Sequence, residues 1–181
     1  MIYNMDFLIS AMIILLLILW HFLGQKRAED LNNRVFLFFA VLGTADVVAE
    51  FFTNYYITSY NSDMGTAAVI VTTIFYLLQA LLPATFIFYI QTLHEQKIIS
   101  AKKMFISGVP TLVLISVILT NPFTEKLFSF DVTAGYVKGP WYLLMYVSAL
   151  GHFAVALLLI LLWRKKLGPQ KEKILLEIGK K

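Results

Sequence analysis

Five apolar runs dominate this 181-residue chain, over about 7–23, 35–57, 66–90, 104–120 and 141–163. Each has the length, roughly 17–25 residues, that a helix needs to cross a hydrocarbon core of about 30 Å. Lipid offers no partner to an open N–H or C=O, so runs of this length and composition have to satisfy their backbones internally as helices. The predicted fold class is therefore all-α, a polytopic membrane helical bundle of five transmembrane helices. Composition agrees: hydrophobic residues make up 59% of the chain and charged ones 14%, against roughly 45–50% and about 25% in soluble domains.

Charge sets the orientation. If each run crosses once, Lys26, Arg27, Arg34, Lys97, Lys102, Lys103 and the basic residues from Arg164 to Lys181 share one side, leaving only Lys126 and Lys138 on the other. Basic residues stay cytoplasmic during insertion, which predicts an external N-terminus and a cytoplasmic C-terminus. Trp20 and Trp163 then fall at the inner interface and Trp141 at the outer one. Met1 to Asp6 carries no positive charge, so the first run reads as an inserted helix and not as a cleaved leader. The net charge of +4 is accounted for by these loops, and no nucleic-acid partner is expected. The expected surroundings are a bacterial inner membrane, with the lipid bilayer as the first partner.

The long connection, 121–140, is the one loop with a pattern of its own. Phe128-Ser129-Phe130 and Tyr136-Val137-Lys138 alternate as strands do, around a turn ending in Gly135. A small hairpin over the outer mouth of the bundle is predicted, with Asn121, Phe123, Phe128, Phe130, Asp131 and Tyr136 as lid residues and with Phe123, Phe128, Phe130 and Tyr136 packing downwards. The competing reading is an irregular connector.

Polar groups inside the runs are the candidate site. Asp46 and Glu50 lie four apart and share one helix face, which continues as Gly43, Thr53 and Asn54. A carboxylate near mid-membrane costs about 2.5–3.5 kcal/mol on insertion scales and normally faces the bundle interior or a wet cavity. Tyr76 and Gln79 in the third run, next to the helix-weakening Pro83, could line such a cavity. His152 in the fifth run, one turn after Ser148, completes the ligand-sensing candidates. The plainer alternatives are an Asp46 bonded to a neighbouring helix, a Glu50 reaching the headgroups and a His152 serving as a helix–helix hydrogen bond. No metalloprotease, phosphate-loop, nucleophile-elbow or dinucleotide motif is present, and there are no cysteines. No catalytic residue, cofactor or metal is expected.

The outer-loop residues carry a resemblance. Asn121-Pro122-Phe123-Thr124, Leu127-Phe128, Phe130-Asp131, Tyr136 and Gly139-Pro140-Trp141-Tyr142 with Tyr146 resemble the N-terminal membrane region, usually of seven helices, of bacterial GGDEF diguanylate cyclases and some sensor histidine kinases. Asn33-Arg34 leading to Asp46 is similar to the same module. So is Arg164-Lys165-Lys166-Leu167 through Lys173-Ile174-Leu175-Leu176, which resembles the basic loop before a sixth helix. The resemblance implies a sensor or receptor portion that responds to an external or membrane-borne ligand and lacks its output domain. It implies a bundle over 1–163 and a basic cytoplasmic tail over 164–181, the start of a missing sixth helix. A fragment of this kind is expected to be less stable than a complete bundle, or to form a homo-oligomer. A small ion-coupled transporter using Asp46 and Glu50 is the alternative, and a membrane partner protein without a ligand is a third.

Overall fold

The computed structural model describes the backbone of residues 5–24, 31–95 and 101–178, and their side chains except at 5–6, 62, 94–95, 101–107 and 163–178. The side chains of the basic tail, 164–181, therefore lie outside the described residues. The elements are α1 Met5–Gly24, α2 Leu31–Thr58, a short 3-10 turn Ser62–Met64, α3 Gly65–Glu95, α4 Ala101–Thr124, β1 Phe128–Asp131, β2 Gly135–Lys138 and α5 Leu143–Ile178.

Four of the helices contain stretches long and apolar enough to cross a membrane: Phe7–Gly24, Leu31–Thr58, Gly65–Leu93 and Leu143–Leu162. The described apolar part of α4, Gly108–Thr124, is shorter. Large hydrophobic side chains such as Leu17, Trp20, Val147, Leu150 and Phe153 stand exposed on α1 and α5. A helix apolar on all sides belongs in lipid or a core, and among the described residues nothing covers these outward faces of α1 and α5.

The third helix is central. It packs along α2, α4 and α5, while α1 rests on α2. Its buried positions Ala68, Thr72, Phe75, Tyr76, Ala80, Ile87 and Ile90 recur at helical spacing, so one continuous stripe meets all three neighbours. On α2, Val35, Leu42 and Ala49 are buried seven residues apart, the repeat that keeps a side chain on one seam. Two apolar clusters result. One joins Phe75, Tyr76, Leu114, Ile118, Leu127 and Phe128 at the hairpin end of the bundle, and the other joins Ile87, Ile90 and Ala156 at the far end.

The hairpin forms as predicted, with Phe128 opposite Lys138 and Phe130 opposite Tyr136. Its turn is closed by Asp131, whose carboxylate accepts from the Thr133 N–H at 2.8 Å, the Ala134 N–H at 2.9 Å and the Thr133 hydroxyl. Gly135 sits at φ +69°, in the left-handed region that three-residue hairpin loops require. Asp131 is thus a turn residue, at the exposed tip and away from the bundle.

Its carboxyl is held below the usual carboxylate range, chiefly by the Thr133 hydroxyl and then by the two backbone N–H groups. A depressed acid stabilises the fold above its unfolded pKa and loses that contribution as pH falls through the folded value. The protection of the Thr133 and Ala134 amides, taken relative to their intrinsic exchange rates at each pH, is therefore expected to fall on acidification below the ordinary carboxylate range. In an Asp131→Asn variant that acid-driven loss of protection should be absent; an identical profile would remove Asp131 from the role.

Two elements depart from expectation. The sequence predicts that α4 stops at Asn121-Pro122, with Phe123 packing downwards. The helix instead continues to Thr124, and Phe123 is 89% exposed. Two residues along a helix is about 200° around it, so burying Asn121 turns Phe123 outwards. Phe123 is not part of the lid. The second is in α5, which runs as one helix to Ile178, past the end of the fifth apolar run and through the stretch that the resemblance implies is a basic loop.

Candidate functional site

Below the hairpin, between α2, α3 and the first turns of α5, lies a cavity of about 540 Å³. Its α2 wall is Asp46, Glu50, Thr53, Asn54 and Ile57, whose spacing of three and four places them on one face. Phe75, Tyr76, Gln79 and Pro83 come from α3, Tyr136 from the hairpin, Tyr142 from the turn just before α5, and Met145, Tyr146 and Ser148 from the first turns of α5. From Asp46 to Ile57 the wall rises roughly 16 Å, eleven residues at 1.5 Å each. The cavity thus extends from the middle of α2 up to the hairpin.

Its roof is fastened from both sides. Asn121, 1% exposed on the last turns of α4, accepts from the N–H groups of Leu127 at 2.7 Å and Phe128 at 3.3 Å and donates to the Phe128 carbonyl at 3.0 Å. Glu125 takes φ +52° to make the sharp exit from the helix, a conformation that costs a side-chain-bearing residue about 1–2 kcal/mol. At the other strand, Gly139 donates to the Leu127 carbonyl and Trp141 to the Lys126 carbonyl, both at 2.8 Å. A Cβ on Gly139 would stand 2.3 Å from the Lys126 carbonyl oxygen, so only glycine permits this approach.

Aromatic rings join roof to wall. Phe128 lies 5.3 Å from the Tyr76 ring and 6.2 Å from that of Tyr136, and Phe130 stacks on Tyr60 at 5.0 Å. The Tyr76 and Tyr136 hydroxyls share a hydrogen bond of 2.6 Å. Both hairpin lysines lie over aromatic faces, Lys126 above Trp141 at 5.7 Å and Lys138 above Tyr142 at 4.4 Å.

Three polar atoms of the α2 wall lack partners. Asp46 Oδ1, Thr53 Oγ1 and Asn54 Nδ2 are buried without a hydrogen bond, although Thr53 and Asn54 are each only 2% exposed. Thr44, Thr73 and Thr85 donate to the carbonyl four residues back, at 2.9, 2.7 and 2.9 Å. Thr53, on the cavity wall, does not, and Thr72 of α3, outside the cavity, is likewise buried without a partner. An unpaired buried group costs about 1–3 kcal/mol, so whatever fills the cavity has to supply partners to this face.

Asp46, Glu50, Tyr76 and Gln79, four of the five ligand-sensing candidates, therefore share one cavity. His152 does not line it. Its Nδ1 stands 2.7 Å from the Ser148 carbonyl and its Nε2 2.9 Å from the Thr111 hydroxyl. A carbonyl can only accept, so Nδ1 carries a proton and donates to it, while Nε2 and the Thr111 hydroxyl complete the bond between the helices. His152 is a fastening between α4 and α5. Replacing Thr111 with Val is expected to lower stability in detergent by about 1–2 kcal/mol and Thr111→Ser by less; equal loss in both would make methyl packing, not the hydrogen bond, the operative contact.

Tyr142 and Tyr146, hydrogen-bonded to one another at 3.1 Å, are cavity residues not singled out from their chemistry in the sequence, although their spacing of four was a usable signal. Thr111 left none. Gly43 belongs to the packing of α2 on α3, where its Cβ position faces Leu82. Among the described residues no three acidic or histidine side chains come together as a metal site. Comparison with protein families, with curated proteins and with solved structures returns no match. Fold and cavity together define the class, a multi-pass helical membrane protein with a roofed polar cavity.

Proposed function

We propose that this chain is a membrane receptor module that holds a small polar ligand in the cavity under its hairpin. It would work as the sensor portion of a bacterial signalling protein of the kind its sequence resembles, with five crossings and the hairpin outside the inner membrane. A periplasm-dependent reporter fused after Lys138 reads out that orientation directly. The observation that carries the reading is the set of unpartnered atoms, Asp46 Oδ1, Thr53 Oγ1 and Asn54 Nδ2, on one wall of one cavity. The roof supports it, because Tyr136 of the hairpin is bonded to Tyr76 of the cavity wall. Occupancy and hairpin position thereby share a group. Tyr142 and Tyr146 bring α5 into the same contact, and α5 is the helix that extends furthest beyond its own apolar stretch. No catalysis is assigned to these residues.

A second reading, an ion-coupled transporter, draws on Asp46 and Glu50, which share the cavity with no Lys, Arg or His among its lining residues. One experiment separates the two. The reconstituted chain is taken through thermal unfolding against a panel of small ammonium ions, carboxylates, sugars and neutral amides, and any stabilising solute is then tested for flux across proteoliposomes. A ligand that binds only the native state at about 100 times its Kd adds about 2.7 kcal/mol, well within detection. The receptor reading expects stabilisation by at least one class, lost in Asp46→Leu, and no flux. Flux would favour the transporter, and a panel without any stabilising solute would overturn ligand binding altogether.

A further inference from the structure

The cavity's chemistry narrows its ligand. Two carboxylates, Asp46 and Glu50, sit one turn apart on its wall, and no Lys, Arg or His lines it. Like charges at that spacing repel, so a positive charge between them relieves both. A bare metal ion does not answer the geometry. A volume of about 540 Å³ is that of an organic-ligand pocket, typically roughly 300–1,000 Å³, and no third acidic or histidine side chain joins the pair among the described residues.

The same cavity is lined by rings. Tyr76, Tyr136, Tyr142 and Tyr146 all line the cavity, and aromatic faces attract cations most strongly where water is excluded. The chain already uses this mode at the rim, where Lys138 Nζ lies 4.4 Å from the centre of the Tyr142 ring. Independently of the acids, the Thr53 hydroxyl and Asn54 amide, both deeply buried and unpartnered, call for a ligand with a hydrogen-bonding group of its own. Asn54 lies four residues beyond Glu50, about 6 Å along the helix, within the span of a short amino alcohol and its two hydrogen bonds.

Resting on the receptor reading of this cavity, we propose that it takes a small organic ammonium ion bearing a hydroxyl or similar acceptor, the charge held between Asp46 and Glu50 and the alkyl groups against the tyrosine rings. Such a headgroup is carried by free amino alcohols and by ammonium lipids alike. α2 and α5 both pack on α3 and do not pack extensively on one another, so the cavity has no helix-to-helix seal on that side.

The test uses the full chain in nanodiscs of phosphatidylglycerol, which has no ammonium headgroup. Choline and ethanolamine are titrated in, with 3,3-dimethylbutan-1-ol, the uncharged carbon counterpart of choline, and sodium chloride as controls. In a second arm phosphatidylethanolamine is added to the disc. The expected result is saturable stabilisation by choline or ethanolamine and none by the neutral counterpart. Affinity should fall by roughly tenfold or more, about 1.4 kcal/mol or more, in Glu50→Gln and in Tyr142→Leu, and survive in Tyr142→Phe. A response to phosphatidylethanolamine alone, abolished by Glu50→Gln, supports the same chemistry with a lipid as its source.

Equal binding of the neutral counterpart, or no response to either ammonium or to the lipid in a chain that still unfolds cooperatively, overturns the proposal. If carboxylates, sugars or amides stabilise the chain while ammoniums do not, the receptor reading stands and the ligand class falls. A response only when a second, Lys- or Arg-bearing helix is co-reconstituted would likewise overturn it, making the cavity a helix-docking cleft.

Discussion

Gly139→Ala is expected to detach the second strand of the hairpin from the end of α4 and to lower stability by about 3 kcal/mol, the upper end of what overpacking costs. The added methyl would stand 2.3 Å from the Lys126 carbonyl oxygen and 2.8 Å from that of Glu125. Both are backbone atoms, with no rotamer to give way. Relief requires the 126–127 and 139–141 segments to part, which breaks the hydrogen bonds from Gly139 to Leu127 and from Trp141 to Lys126. Tyr136 then loses its position over Tyr76. Hydrogen exchange by mass spectrometry should show faster exchange across β1 and β2, with helix α2 unchanged. Wild-type protection of the hairpin in this variant would mean that the strands tolerate separation, and that the roof does not depend on its base.

The second large effect belongs to Asn121. Its side chain meets the N–H groups of Leu127 and Phe128 and the Phe128 carbonyl from a fully enclosed position. Asn121→Ala leaves these groups to find other partners in a site closed to water. At about 1–3 kcal/mol for each buried group left unpaired, a loss of about 3 kcal/mol or more is expected. Asn121→Asp should not rescue it, because it buries a charge and gives up the donation to Phe128. Thr120→Ala is the control: Thr120 is exposed and bonded to its own helix, so its loss should be nearly silent. Urea or SDS unfolding of the three variants decides it, and similar midpoints for Asn121→Ala and Thr120→Ala would refute the role.

The variants also show what the sequence could and could not disclose. The alternation around Phe128 and Tyr136 is local information, and it located both strands within a residue. The stripe from Asp46 to Asn54 was legible because helical spacing and the cost of polar groups in lipid act within one segment. Phe123 was not legible. Its placement depended on whether α4 would continue through Pro122, and burial of Asn121 by the hairpin, a tertiary demand, outweighed the missing N–H. The partnership of His152 with Thr111 joins residues 41 positions apart. A threonine in an apolar helix announces nothing until the neighbouring helix is in register. Tyr142 and Tyr146, at the start of α5, fall between these cases: their spacing was visible, but not which side of α5 would meet α3.

The length of α5 has a mechanical consequence. Its 36 residues, at 1.5 Å each, make a rod of about 54 Å, against a hydrocarbon core of about 30 Å. A tilt of about 10° pivoting at Tyr146, on the cavity rim, would sweep the opposite tip by roughly 8 Å at 1.5 Å of rise per residue. Pro169 cannot donate to the carbonyl of Lys165, so the rod is one hydrogen bond weaker at Gly168-Pro169. Its stiffness sets how much of any such swing arrives at Ile178 and how much is spent as bending on the way.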